Sequence, residues 1–518
     1  MRGPMRHNIV TSDRVTASDV SAEPEPALAA EADHAGSSSA LRRVLGPADF
    51  TLLVIGAVVG ADIYVVAGMG AKLLGPAQLV AWAVAGLLSA LIALAFIQCA
   101  AICPDVGGSY AYAHQAFGPF LGFISGWALY LGEWIALPVF PITFINYLGY
   151  FAPSLTHLER IGIAFGLVLT TTAITIRGTR ASGWINDGLT VAKLLPLAIL
   201  VTFGLLAFFV HPSAAIRQMH PFSPLGWGQF GPAVVLIFWA YAGFELAVLP
   251  AGEVRDPRRT LPRGLLVGMG IVTLFYLLTS WSVVTAIPSS VAATSTRPLS
   301  DALAALLSRV GLPGGLGQIC MSLGGLISIA SVYEVFMLSL ARLSYALASD
   351  GLFPSSFGKV HSRFGTPYLG IVFQATATLI LAPFLGLSSL ISIAVFFLGI
   401  CYLFTALSAL RLIYRMPDQR LKLPGLRILL GLAGLAGIAL AAQSTPQHLL
   451  LGTAAMLAGL LLYQVRVQSW RSWSSVAGDA AAMEAKVEAE AERGIESSAD
   501  WLLNGYHCLW RHNPRIPK

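Results

Sequence analysis

The chain has 518 residues, of which 56% are hydrophobic and only 11% are charged, and its mean hydropathy is +0.72. A soluble globular chain carries about 25% charged residues, so this composition excludes an ordinary soluble domain. The formal net charge of +6 comes without a basic face or an aromatic platform, and we therefore expect no nucleic-acid binding.

The two ends of the chain are polar. Residues 1–44 are rich in Ala, Ser and Glu, mix both signs of charge and lack the apolar core of a secretory signal. This composition predicts a disordered cytoplasmic tail over residues 1–44. The other end contains AAAMEAKVEAEAER and predicts a cytoplasmic C-terminal tail over residues 468–518.

Residues 45–467 consist mainly of apolar runs. A helix that crosses a bilayer needs about 20 apolar residues, and about twelve such runs follow one another along the chain. Their centres lie near residues 60, 90, 133, 168, 199, 241, 275, 329, 376, 400, 435 and 457. Because backbone polar groups in lipid must be satisfied internally, we predict an all-α polytopic membrane protein whose transmembrane domain spans residues 45–467.

Ionisable residues inside these runs are few and therefore informative. They are Asp62 in the first run, Glu133 in the third, Lys193 in the fifth, Glu245 in the sixth and Glu334 in the eighth. A charge at membrane depth costs about 3 kcal/mol, so each is a functional hypothesis by default. The alternatives are structural pairing of Glu133 or Glu334 and interfacial anchoring of Lys193.

The first and sixth runs share glycines close to an acid. GAVVGADIY contains Gly56 and Gly60 before Asp62, and YAGFE contains Gly243 before Glu245. Transporters built from inverted repeats bind substrate where paired, glycine-interrupted helices expose their backbone near the bilayer midplane. We therefore predict that both helices are broken at these glycines. A GxxxG packing face is the alternative at Gly56 and Gly60.

The basic residues predict the orientation. With the N-terminus inside, the cytoplasmic segments hold the larger set, namely Arg42, Arg43, Arg177, Arg180, Arg255, Arg258, Arg259, Arg263, Arg342, Lys359, Arg363, Arg411, Arg415, Arg420, Lys422, Arg427, Arg466 and Arg471. The opposite loops hold Lys72, Arg160, Arg217, Arg297 and Arg309. Because loops rich in Lys and Arg stay in the cytoplasm, we predict a multi-pass protein of the cell membrane with both termini inside.

Other kinds of site have little support. The 5 cysteines have no CxxC or ligand spacing, so we expect neither a disulfide nor a metal site. The 10 histidines lie in loops or tails, which argues against a histidine relay inside the membrane. The chain contains no HExxH and no GxSxG motif, and we expect no enzymatic activity and no cofactor.

Several segments match motifs of a known permease family. The first run matches its Gly-small-Gly-Ile-aromatic motif through Gly60, Ala61, Ile63 and Tyr64. Further matches are PDVGGSYAYAHQAFG at residues 104–118, FWAYAGFELAVLPAGEVRDPRRTLPR at residues 238–263 and RLSYALASDGLFPSSFGKVHSRFGTP at residues 342–367. From about Pro47 to Arg466 the chain thus resembles the amino acid-polyamine-organocation permeases.

This resemblance implies two inverted repeats of five helices each, with helices 1 and 6 broken, plus two peripheral helices. It implies that the substrate is bound by Gly60, Ala61, Asp62, Ile63, Glu133, Trp239, Tyr241, Ala242 and Gly243. The resemblance also implies that Lys193 and Glu245 act in coupling or gating. We add Glu334 to this group because it is an ionisable residue inside an apolar run. Plain packing is the alternative for the side chains of Trp239 and Tyr241.

The chain departs from the family motif at Asp62, where the motif has its second glycine. A carboxylate there lies at the positive end of a helix dipole, where members of the family bind the substrate carboxylate. Two carboxylates about 4 Å apart repel by about 4 kcal/mol at an effective dielectric constant of about 20. Either the group that faces Asp62 is cationic, or Asp62 is protonated when substrate binds. We favour the cationic ligand.

We therefore expect a secondary active transporter of amino acids or related amines, coupled to protons or working by exchange. A polyamine or a basic amino acid is the favoured substrate. One alternative is a symporter of neutral amino acids and protons in which Asp62 is a protonation site. Another is a membrane sensor that uses the same fold and binds ligand without net flux. The expected partners are the small-molecule substrate, protons and the lipid bilayer.

Overall fold

The computed structural model describes residues 45–103, 107–178, 183–249 and 254–466, with residues 183–189 as backbone alone. Secondary structure in these ranges is helical and contains no strand, apart from an isolated parallel bridge between Leu45 and Val254. The prediction of an all-α fold is confirmed. The predicted tails, residues 1–44 and 468–518, lie outside the described ranges.

The helices follow the apolar runs. The first part of the chain forms α1 (Pro47–Val58), α2 (Ala61–Leu74), α3 (Gln78–Ile102), α4 (Ser109–Phe117), α5 (Pro119–Ala136), α6 (Val139–Leu148), α7 (His157–Arg177), α8 (Gly183–Val210) and α9 (Pro212–Gln218). The second part forms α10 (Phe230–Trp239), α11 (Phe244–Ala247), α12 (Pro257–Ala286), α13 (Ser289–Thr294), α14 (Pro298–Arg309), α15 (Gly314–Ser349), α16 (Tyr368–Leu381), α17 (Leu387–Arg415), α18 (Leu426–Ala442) and α19 (Pro446–Arg466).

The length and composition of these helices are those of a polytopic membrane protein. In the part of the chain that the structure describes, 9 helical stretches are long and apolar enough to cross a membrane. One of these stretches, Ala61–Ile102, contains both α2 and α3. The apolar helices α1, α16 and α18 are shorter than the length of about 20 residues that a full crossing needs. The count of about twelve crossings therefore stays a prediction.

The helices differ in how deeply they are buried within the protein. In the sixth span, Phe230–Ala247, 83% of the most hydrophobic 18-residue stretch is buried inside the protein. In α19 the corresponding share is 11%. The sixth span is thus central, and α19 faces outward. This difference agrees with the predicted central role of the broken spans and the predicted peripheral role of the last helix.

Both predicted helix breaks are present. The first span is interrupted at Val59 and Gly60, between α1 and α2, and the sixth at residues 240–243, between α10 and α11. Around the first break, α1 packs against α8, α11, α12 and α15. The backbone freed by the two interruptions is therefore surrounded by membrane helices. The inverted-repeat symmetry implied by the family stays a prediction.

Candidate functional site

Asp62 lies in the first turn of α2, directly after the break in the first span. Its Oδ1 accepts the backbone N–H of Gly60 at 2.8 Å. Its Oδ2 is 3.4 Å from the hydroxyl of Tyr276, which also donates to the carbonyl of Val58 at 3.1 Å. The first amides of a helix lack intrahelical partners and carry a positive partial charge, which stabilises a carboxylate there. Asp62 thus fills part of the N-terminus of α2 with its own side chain.

Lys193 lies on the other side of the same break. It is buried, and its ammonium group donates a hydrogen bond to the carbonyl oxygen of Gly56 in the last turn of α1. In a continuous helix this carbonyl would accept the N–H of Gly60, four residues later. Here Gly60 donates to Asp62, while Lys193 takes the place of the missing donor. The two charged side chains therefore satisfy the two halves of one broken helical hydrogen bond.

Two further carbonyls at the break also accept hydrogen bonds from side chains. Val58 accepts from Tyr276 of α12, and Val59 accepts from the hydroxyl of Ser328 of α15 at 3.4 Å. Buried backbone groups need a partner, and an interruption inside a membrane helix leaves several without one. Polar side chains on neighbouring helices thus stabilise the break.

Asp62 and Lys193 do not form a direct ion pair. The salt bridge found in the described ranges is an exposed pair outside the site, Arg259 with Asp256 at 3.9 Å. The ammonium group of Lys193 is directed at Gly56. Lys193 therefore contacts the end of α1, whereas Asp62 contacts the start of α2.

The break in the sixth span touches the break in the first. Gly243 has a φ of +111°, a conformation that residues with a side chain rarely adopt. A Cβ atom at this position would lie 2.5 Å from the carbonyl oxygen of Ala57. Glycine at residue 243 is thus required both by the backbone conformation and by the close approach of the two spans.

Most predicted substrate-binding positions lie at these two breaks. Gly60, Ala61 and Ile63 belong to the first, whereas Trp239, Tyr241 and Ala242 belong to the second, and all of these are buried. The hydroxyl of Tyr241 donates to the carbonyl of Trp82 at 3.2 Å, and its ring packs on Trp82 and Tyr276. The side chain of Tyr241 is therefore directed at the helical scaffold, and its backbone N–H donates to the carbonyl of Phe238 at 2.9 Å.

Glu133 and Glu245 form a second polar group with Tyr402. The hydroxyl of Tyr402, on α17, donates to Oε1 of Glu245 at 2.8 Å. The carboxyl group of Glu133 lies near that of Glu245. No group of the described residues donates to either oxygen of Glu133 or to Oε2 of Glu245. The structure thus brings Glu133 close to Glu245, and the substrate contact that the resemblance implies for Glu133 stays a prediction.

Glu334 is separate from both groups. It is half-buried on α15, and the structure gives no hydrogen bond or ion pair between it and any residue of the described ranges. Its neighbour Val332 packs against Gly60, where an added Cβ would come within 2.9 Å of Cγ1. Helix α15 therefore lines the first break through Val332 and Ser328, and the role of Glu334 stays a prediction.

Sequence reasoning missed three residues that contact the site, Tyr276, Ser328 and Tyr402. Each is a hydroxyl-bearing residue inside an apolar run, a signal that the sequence does contain. Because the chain has 15 tyrosines, this signal alone could not select the two that contact the buried carboxylates.

Comparison with known proteins decides the class of protein. The model of the Amino acid permease family matches residues 45–458, which include both breaks and all the buried charges described above. The chain belongs to this family. The permease is therefore a multi-pass membrane protein whose substrate is a small molecule.

Individual relatives differ in the substrate that their names give. The permease is 27% identical to the branched-chain amino acid permease BcaP of Bacillus subtilis over 412 residues, which cover 76% of the permease and 86% of that protein. It is 28% identical to cationic amino acid transporter 4 of Homo sapiens over 392 residues, or 71% and 60% of the two chains. It is 27% identical to the serine/threonine exchanger SteT of Bacillus subtilis over 373 residues, or 70% and 81%. Family membership thus leaves the substrate open.

Proposed function

We propose that the permease is a secondary active transporter of cationic amines, either a basic amino acid or a polyamine, coupled to protons or working by exchange. The observation that supports this most directly is the hydrogen bond from the backbone N–H of Gly60 to Asp62 at 2.8 Å. The side chain of Asp62 thereby occupies a helix N-terminus of the kind that binds anions. A substrate that reaches the N-terminus of α2 then meets the carboxyl group of Asp62 in place of free backbone amides.

The charge of Asp62 favours one sign of ligand. A second carboxylate about 4 Å away would be repelled by about 4 kcal/mol at an effective dielectric constant of about 20, which corresponds to about a thousandfold in affinity. An ammonium or guanidinium group at the same distance is attracted by a similar amount. Since Lys193 is bonded to Gly56, the charge of Asp62 is available to such a group. The rival is a protonated Asp62 in a symporter of neutral amino acids.

The proposed substrate contacts follow the two breaks. We assign the backbone of Gly60, Ala61 and Ile63 to one side of the ligand, and that of Tyr241, Ala242 and Gly243 to the other. Trp239, which is buried at the end of α10, covers the bound molecule in this proposal. The contact of Gly243 with Ala57 supports this arrangement, because it brings the two interruptions together.

Lys193 is the first proposed coupling residue. Its ammonium group donates to the carbonyl oxygen of Gly56, which the break leaves without its helical partner. In transporters built from inverted repeats, such carbonyls face cations. A charge-assisted hydrogen bond is roughly twice as strong as a neutral one. Loss of the proton from Lys193 would therefore loosen the contact between α8 and the last turn of α1. Proton binding is in this way linked to the geometry of the substrate site.

The pair of Glu133 and Glu245 is the second proposed coupling element. Three of its four carboxyl oxygens receive no hydrogen bond from the residues that the structure describes. Two adjacent ionised carboxylates in an apolar interior repel strongly, and a proton held between them would supply the missing donor. Among the described residues, Tyr402 and Cys401 of α17 are further titratable side chains beside the pair. We propose that the pair binds and releases a proton during transport.

Flux across a membrane tests the proposed function. Purified permease in proteoliposomes is assayed for uptake of radiolabelled arginine, spermidine and leucine, with and without an inward proton gradient. We expect saturable uptake of a cationic compound that exceeds uptake of leucine. Uptake of leucine alone, driven by protons, would support the rival substrate class. Ligand binding without uptake of any compound would support the sensor.

A further inference from the structure

A cavity outside the proposed transport site opens at the end of α7. It has a volume of about 550 Å³ and lies between the last residue of α7, helix α15 and the loop that precedes α16. Three arginines, Arg177, Arg342 and Arg363, are among its described lining residues, and none of those residues is acidic. Arg177 and Arg363 are exposed, whereas Arg342 is half-buried. A concave surface with charge of one sign concentrates the local potential and attracts counter-ions.

The walls of this cavity are held by hydrogen bonds. The hydroxyl of Thr366 donates to the carbonyl of Ile176 at 2.5 Å, which fastens the loop to the last turn of α7. Within the loop, the backbone N–H of His361 donates to the carbonyl of Thr366 at 2.8 Å, and the backbone N–H of Gly365 donates to the carbonyl of His361 at 2.8 Å. Arg177 and Arg363 therefore start from a backbone that is already ordered, which lowers the entropic cost of binding a shared ligand.

The positive-inside rule explains why arginines are frequent near the ends of membrane helices. It does not require that they converge on one cavity. Guanidinium groups present planar, forked donors that match the oxygen atoms of a phosphate group. Only 22% of the most hydrophobic 18-residue stretch of α7 is buried inside the protein, so the outer surface of α7 is available to lipid. Basic pockets at such positions bind phosphate-bearing lipid headgroups.

We propose that the cavity lined by Arg177, Arg342 and Arg363 binds a phosphate group at the membrane surface. Arg177 and Arg363 supply the two outer guanidinium groups, and Leu338 supplies an apolar wall beside them. A phospholipid headgroup and free phosphate share this chemistry. Arg177 is the last residue of α7, an end that the predicted topology puts at the cytoplasmic surface of the bilayer. Binding at this site is independent of the substrate that the permease transports.

The test measures the thermal stability of the purified, delipidated, full-length permease in detergent. The added probes are phosphatidylglycerol, phosphatidylcholine and inorganic phosphate, and a ligand that binds the folded state raises the stability. Arg177→Gln combined with Arg363→Gln removes two charges from the cavity. Arg258→Gln combined with Arg259→Gln removes the same charge from two exposed residues at the start of α12 and is the matched control. Leu338→Trp fills the cavity without a change in charge.

We expect phosphatidylglycerol to stabilise the parent and the control more than phosphatidylcholine does. In the cavity variant the apparent affinity should fall about tenfold or more, because charge-assisted hydrogen bonds are lost. Leu338→Trp should show a similar loss. If inorganic phosphate also stabilises the parent, and this stabilisation is lost in the same variants, the site is supported with free phosphate as its ligand. Equal responses of the cavity variant and the control would overturn the proposal, as would normal binding in Leu338→Trp.

Discussion

Lys193 donates a hydrogen bond to the carbonyl oxygen of Gly56, the acceptor that the N–H of Gly60 would use in an unbroken helix. Gly60 instead donates to Asp62 at 2.8 Å. One basic and one acidic side chain thus replace a single backbone hydrogen bond between the two halves of the first span. Any change in the charge of either side chain acts on the break itself.

Lys193→Ala should separate binding from coupling. The variant lacks the donor to Gly56, so we expect it to bind substrate but to lose accumulation driven by an inward proton gradient. A gradient of about one pH unit supports about tenfold accumulation per proton, and this ratio should fall towards one. The measurement is uptake into proteoliposomes with and without the gradient. Lys72→Ala, which removes an exposed lysine near the end of α2, is the matched control. Unchanged accumulation in Lys193→Ala would reduce Lys193 to an anchor.

Gly243→Ala tests whether the two breaks must touch. The added methyl group would meet the carbonyl oxygen of Ala57 at 2.5 Å, and residue 243 would keep an unfavourable positive φ. We expect uptake to fall at least about tenfold, because steric strain of this kind costs about 1 to 3 kcal/mol. Gly431→Ala is the control, since no atom lies within 4 Å of a Cβ at that position. Both variants should appear in the membrane fraction in similar amounts. Normal transport by Gly243→Ala would refute a strict requirement for glycine.

Glu133→Gln tests the carboxyl pair. The side-chain amide introduced by this substitution donates an N–H to Glu245 and needs no bound proton to do so. It therefore imitates the proton-bound pair. We expect uptake to become insensitive to an imposed proton gradient, while exchange of labelled for unlabelled substrate continues. Glu334→Gln makes the same chemical change outside the pair and should have a smaller effect. Equal loss of gradient dependence in both variants, or in neither, would contradict the assignment of the pair.

Cysteine accessibility tests the predicted topology. Arg258→Cys, at the start of α12, should resist a membrane-impermeant thiol reagent in intact cells and react after the cells are opened. Arg217→Cys, an exposed position on α9 in a loop of the opposite parity, should react in intact cells. Native cysteines are replaced by serine beforehand in both variants. Labelling of Arg258→Cys in intact cells would contradict the predicted cytoplasmic location of the loop before α12.

Much of the fold follows from the sequence, because hydropathy and glycine spacing act locally. The acid that follows Gly56 and Gly60 predicted the break in the first span, and Gly243 predicted the break in the sixth. The number of crossings was harder to predict. Helices such as α16 are shorter than the apolar runs that contain them, so run length does not fix where each helix ends.

The partners of the buried charges could not be predicted in the same way. The sequence identified Asp62 and Lys193 but gave no reason to connect Lys193 with Gly56, which lies 137 positions away along the chain. Likewise, Tyr402 lies 157 positions from Glu245. Such contacts depend on how the helices pack, and several tyrosines in apolar runs have similar local sequences.

The most direct test of the central claim is ligand binding to Asp62→Asn. Asparagine keeps a side-chain oxygen that can accept the N–H of Gly60, so the variant removes the charge while it preserves the cap on α2. Binding of spermidine, arginine and leucine is measured for the parent and the variant at acidic, neutral and alkaline pH. We expect the affinity of the parent for a cationic ligand to fall at least about tenfold in Asp62→Asn at alkaline pH, and the difference between the two proteins to narrow at acidic pH as the parent carboxyl takes up a proton. Retained binding of that ligand, with only the pH dependence lost, would contradict direct contact and make Asp62 a protonation site.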